Sequence, residues 1–73
     1  MKFYLCQEFR YNDELSLYFY IPAKSKKDLF RKIDILRKQE GTNQIFYCSD
    51  SCPIDDEDFT DDDIPAIWGF YWD

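Results

Sequence analysis

The chain of 73 residues carries 15 acids against 9 bases, for a formal net charge of −6, and has no histidine. That length holds one domain around one core and excludes a second domain and the large α/β enzyme folds. That charge disfavours a bare binder of nucleic acid or of an anionic membrane.

Hydrophobic residues make up 45% of the chain and aromatic ones 21%, so it has the apolar surface to fold, and the large rings supply the most area per residue to so small a core. Residues 2–11 set Phe3, Leu5 and Phe9 against Tyr4, Cys6, Glu8 and Arg10 in strict alternation, which predicts a half-buried strand with the first set inward. Asn12-Asp13 is a turn signal. Leu15, Leu17, Phe19 and Ile21 then alternate with Ser16, Tyr18 and Tyr20, giving an antiparallel partner that Pro22 ends.

Ser25 followed three residues later by Asp28 resembles a capping box, and Leu29, Phe30, Ile33 and Leu36 recur at helical spacing until Gly41 supplies a stop; the spacing predicts a helix over 26–40. Residues 44–48 are short, apolar and β-prone, and predict a third strand before Ser49-Asp50-Ser51-Cys52-Pro53 turns away. A second apolar run over 66–72 is a fourth strand or an extended segment laid over the core, since Pro65 and Gly69 disfavour a helix. The expected fold is α+β: a small three- to four-stranded antiparallel sheet, ordered β-β-α-β plus the C-terminal aromatic segment, with one helix on a face. It forms one domain over 1–73, with an acidic loop at 50–63 and an aromatic segment at 64–73. Leu5, Leu17, Phe19, Phe30, Ile33, Leu36 and Phe46 are the expected core.

Charge is segregated along the chain: residues 24–40 sum to +4, and residues 50–73 hold nine acids and no base. The run Asp55, Asp56, Glu57, Asp58, Phe59, Thr60, Asp61, Asp62, Asp63 is its most unusual feature. On an extended path its carboxylates would lie ~3.3 Å apart along the backbone, a density that can compete with duplex phosphates for a basic groove. An ordinary solvated loop is the plain alternative. Phe59 within the run and Ile54 and Ile64 at its ends favour a loop pinned to the body at three points, which loses less entropy on binding.

The acids do not read as a calcium site, because residues 55–66 lack the sixth-position Gly and twelfth-position Glu of an EF-hand. Cys6, Cys48 and Cys52 without a histidine do not read as a zinc site either; three buried, reduced thiols are expected. No metal and no cofactor is implied. The helix face bearing Lys26, Lys27, Arg31, Lys32, Arg37 and Lys38 could track a phosphate backbone, but the net charge opposes such an approach and a solvated face is the simpler reading. Tyr4, Tyr18 and Tyr20 on the second sheet face, with Trp68, Phe70 and Trp72 on one side of the last segment, could stack on bases; a buried role under that segment is preferred, and rings left beside the acids would serve as interface anchors.

No P-loop, nucleophile elbow or dinucleotide fingerprint is present, and the acids show no sign of the burial that acid/base catalysis needs. A catalytic site is therefore not expected. No run of 18 apolar residues and no signal-peptide h-region occur, which predicts a cytoplasmic protein with no membrane contact. In size, acidity, aromatic content and lack of catalytic groups the chain resembles in type the small inhibitors encoded by phages and mobile elements, among them anti-restriction and anti-CRISPR proteins and nuclease-inhibiting DNA mimics. No motif is shared, and no residue role is carried over. The expectation is a non-enzymatic inhibitor that binds a basic nucleic-acid-binding surface of a nuclease or defence complex, in a host cytoplasm if phage-encoded, without binding nucleic acid itself. Its contact residues would be Asp55, Asp56, Glu57, Asp58, Asp61, Asp62, Asp63, Trp68 and Trp72. The alternative is a general interaction module or small subunit of a cytosolic complex.

Overall fold

Strand β1 (Lys2–Arg10) is the centre of the sheet in the computed structural model, which describes residues 1–10 and 15–60. On one side β1 pairs antiparallel along its length with β2 (Leu15–Ala23), from Lys2↔Ala23 to Arg10↔Leu15. On the other it meets two short antiparallel strands placed end to end. β3 (Ile45–Tyr47) lies against residues 6–8, and β4 (Ile54–Asp55) against residues 2–3. Helix α1 (Lys26–Glu40) joins β2 to β3 and packs on one face. The fold is the expected α+β arrangement of one helix on an antiparallel sheet. β4 is an addition that the pattern does not announce, since two residues between Pro53 and an acidic run have no period to read.

Local chemistry sets the bounds of α1. The Ser25 hydroxyl accepts the Asp28 N–H at 3.2 Å, and the Asp28 carboxylate reaches back past Ser25 to accept the Lys24 N–H at 3.0 Å, so two donors at the helix start are satisfied. At the other end Gly41 takes φ 67°, and its N–H and that of Thr42 both close on the Arg37 carbonyl, a left-handed cap that favours glycine.

The core lies between α1 and one sheet face: Tyr4, Cys6, Phe19, Ile21, Ala23 and Ile45 against Leu29, Ile33 and Leu36. This inverts the expected facing of β1. Tyr4, Cys6 and Glu8 point toward the helix, whereas Phe3, Leu5 and Phe9 belong to the opposite face. Both sides of β1 are apolar, so alternation identifies the strand without identifying its inner side; the pairings Tyr4↔Ile21 and Cys6↔Phe19 decide it.

The expected core is corrected accordingly. Phe19, Ile33 and Leu36 are buried, Leu5 is half-buried, and Leu17, Phe30 and Phe46 are exposed at 46%, 52% and 44%. In α1 the buried stripe is Leu29, Lys32, Ile33 and Leu36, which passes through Lys32 and leaves Phe30 on the flank. Lys32 is tolerated there because its alkyl stem packs while its ammonium donates to the Pro22 carbonyl at 2.6 Å and lies 3.5 Å from the Asp28 carboxylate.

β2 also runs past its expected end, through Pro22 to Ala23. Phe9 N–H donates to the Gln44 carbonyl and Cys48 N–H to the Leu5 carbonyl, each at 3.0 Å, so odd-numbered residues of β1 address β3 and even-numbered ones address β2. In the antiparallel register Leu17, Phe19 and Ile21 therefore bond inward to β1, and Ser16, Tyr18, Tyr20 and Pro22 direct their backbone groups outward. Proline's missing N–H falls on the outer edge, where no ladder bond is lost.

Candidate functional site

The acidic segment is built into the sheet at its first residues. Ile54 pairs with Phe3 in β4, and the Asp58 N–H closes a β-turn on the Asp55 carbonyl at 3.0 Å. Phe59 then returns to the body, its ring stacked on Phe3 with centroids 4.0 Å apart and planes 10° from parallel, and edge-on to Tyr20 at 5.1 Å. Asp55, Asp56, Glu57 and Asp58 are all exposed between these two attachments. Two of the three expected anchors, Ile54 and Phe59, are thus in place. Ile64 lies outside the described residues, as do Asp61, Asp62, Asp63, Trp68, Phe70 and Trp72 and the expected segment 66–72.

The extended path expected for the run gives way to a turn at 55–58, because both anchors meet Phe3, Ile54 through its backbone at the sheet edge and Phe59 through its ring on the sheet face. A β-turn brings its first and last Cα within ~7 Å, so four carboxylates leave one short span. Duplex DNA, at one phosphate charge per ~1.7 Å of axis, presents about the same number over that length. Lys2 engages the turn weakly: its ammonium is 4.0 Å from Asp55, with both side chains more than half exposed, a geometry that offsets little of the turn's charge.

The second sheet face carries Phe3, Tyr20 and Phe59 at one end and Phe9 with Phe46 at the other, the last two with ring centroids 6.0 Å apart. The alternation places Tyr4 with Tyr18 and Tyr20, and the structure corrects this: Tyr4 is buried under α1 and meets Tyr47 edge-on at 5.8 Å. A stacking platform of those three tyrosines is therefore excluded.

The basic face of α1 is less available than its residues suggest. Arg31 donates to the Asp28 carboxylate at 2.8 Å, Lys32 is buried on the Pro22 carbonyl, and Arg37 donates through Nε to the Ile45 carbonyl at 3.0 Å while lying over the Phe46 ring at 5.2 Å. Lys26, Lys27 and Lys38 remain exposed. Beside Arg37 an open groove of about 320 Å³ runs between α1 and β3, lined by Phe30, Ile33, Asp34, Phe46, Tyr47 and Ser49. Sequence reasoning missed both Lys32 and this groove. The i, i+3, i+4, i+7 spacing of Leu29, Lys32, Ile33 and Leu36 is the signal that could have found the first.

The three thiols differ, correcting the expectation of three buried cysteines. Cys6 is buried, and burial pushes its thiol up to about 12. Cys48 is half-buried and raised by burial and then by Asp50, whereas Cys52 is exposed. Among the described residues no three cysteine or acidic side chains converge to hold a metal ion, and no helix is long and apolar enough to cross a membrane. No protein-family model, curated protein or solved structure matches the chain, so its function is read from its own residues.

Proposed function

We propose that this protein is a small non-enzymatic inhibitor that occupies a basic nucleic-acid-binding surface on another protein, of the kind found in a nuclease or defence complex. The observation that carries the reading is the turn at 55–58, four exposed carboxylates held between β4 and the Phe3–Phe59 stack. A display already ordered in the unbound protein gives up little entropy on docking, as a competitor of a stiff duplex requires. Asp61, Asp62, Asp63, Trp68 and Trp72 extend the same proposed surface along the chain. The engagement of Arg31, Lys32 and Arg37 within the fold weighs against α1 as a nucleic-acid reader. The type resemblance to phage and mobile-element inhibitors fits a cytoplasmic site of action.

A second reading rests on the groove flanked by the exposed Phe30 and Phe46, which suits a general interaction module with a mainly apolar contact. One comparison separates the two. The immobilised full chain is used to capture proteins from lysate, alongside a variant with Asp55, Asp56, Asp58, Asp61, Asp62 and Asp63 replaced by Asn, which brings the formal net charge from −6 to zero. The acidic surface is supported if a nucleic-acid-binding protein is retained by the wild type, released by salt or by added duplex DNA, and lost from the variant. Capture that is unchanged by the substitutions and by salt moves the function to the groove. New DNA binding by the variant in a gel shift moves it to α1.

A further inference from the structure

We propose that the outer edge of β2 is a strand-pairing site for a second copy of this chain. The edge is long and, among the described residues, little guarded. β2 keeps one unbroken register over nine residues, carries no charged side chain from Leu15 to Ala23, and pairs with no strand among the described residues on its outer side. Natural edges of this length are blunted by charges, bulges or prolines. Among the described residues only Pro22 serves, and the Lys32 ammonium already occupies its outward carbonyl. Ser16, Tyr18 and Tyr20 are left with their N–H and C=O groups directed outward, while Leu17 and Tyr18 stand 46% and 48% exposed on the two faces beside them.

A second copy fits this edge better than a foreign strand because β2 is complementary to itself. With a twofold axis at Tyr18, Ser16 pairs with Tyr20 of the second copy, Tyr18 with its own counterpart and Tyr20 with Ser16, each pair exchanging both of its backbone hydrogen bonds. The same register sets Leu17 opposite Phe19 of the second copy on the helix face, so the exposed leucine of each chain lies at the joint between the two sheets. Charge placement agrees. The acidic turn hangs from β4, on the side of β1 away from β2, so two chains joined at β2 hold their turns at the far edges of one continuous sheet, and both stay accessible.

Sedimentation equilibrium over a wide concentration range tests this, with circular dichroism as the check on folding. The wild type is expected at twice the mass of one chain, separating on dilution, with the dimer fraction rising as salt screens two chains of charge −6. That salt response is opposite to the one expected of the acidic surface, so each proposal fails independently of the other. Tyr18→Lys, which sets like charges face to face across the axis, and Tyr18→Pro, which removes an outward N–H that the monomer does not use, are both expected to shift the protein to monomer with an unchanged spectrum. Should Tyr18→Pro unfold, Tyr18→Lys at an exposed position carries the test. A wild type that stays monomeric into the millimolar range overturns the proposal, as does a dimer that persists in folded Tyr18→Lys.

Discussion

The ring of Phe59 lies flat on that of Phe3, and Phe3 is paired through its backbone to Ile54 on the near side of the acidic turn. The two ends of the turn are thereby tied to one residue of the central strand. Truncation by Phe59→Ala removes the stack and the edge contact with Tyr20 without changing any charge. Half-buried rings of this kind cost about 2 kcal/mol when deleted, which denaturant unfolding reads as a lower midpoint. If the ordered display drives recognition, partner affinity falls with it; binding unchanged by Phe59→Ala shows that charge alone suffices.

The stripe through Leu29, Lys32, Ile33 and Leu36 separates two positions that look equivalent in the sequence. Ile33→Asp places a charge with no partner against Ile21 and Phe19 in the core, and is expected to abolish the cooperative melting transition. Phe30→Asp alters a ring that is 52% exposed and meets Tyr47 edge-on at 6.2 Å. It is expected to cost about 1 kcal/mol or less. Comparable losses from both substitutions would contradict the orientation of α1.

How much was legible follows from what each signal encodes. Ser25, Asp28 and Gly41 act within one turn of chain, so both ends of α1 could be read directly from residue identity. The hairpin of β1 and β2 was legible for the same reason, by its alternation. The inner face of β1 was not, because Phe3 and Leu5 are as apolar as Tyr4 and Cys6, and the choice belongs to the pairing with β2 and to where the helix lands. The acidic run stood out by composition, and its anchoring by Ile54 and Phe59 followed from two apolar residues in a polar stretch. That Phe59 would seek Phe3, and that the run would bend at Asp55–Asp58, depended on the return of the chain to the far edge of β1.

The cysteines offer a check on the packing that is independent of stability. Cys6 is buried and its thiol is pushed up to about 12, chiefly by burial, so almost no thiolate forms near neutral pH. Cys48 is raised by the same cause and by the charge of Asp50, while Cys52 is exposed. Timed alkylation read by mass spectrometry is expected to modify Cys52 first, Cys48 more slowly and Cys6 only when denaturant opens the core. Early modification of Cys6 would place it outside the core.

Asp28 ties the helix start together, and its titration gives a pH signature. The Lys24 N–H, followed by Arg31 and Lys32, outweighs the opposing effect of burial and lowers its carboxyl from 3.8 to about 2. A carboxyl whose folded value lies below its unfolded one contributes stability that is complete above the unfolded value and is lost as pH falls toward the folded one. The contribution of Asp28 should therefore be constant at neutral pH and vanish between pH 3.8 and about 2. Asp28→Asn isolates it, because the amide still accepts a hydrogen bond but carries no charge. The wild type is expected to exceed the variant by about 1 kcal/mol at neutral pH. Urea titrations of both proteins should show that gap closing across the acid window. A gap that stays constant down to pH 2 would mean that the charge of Asp28 adds nothing to the start of α1.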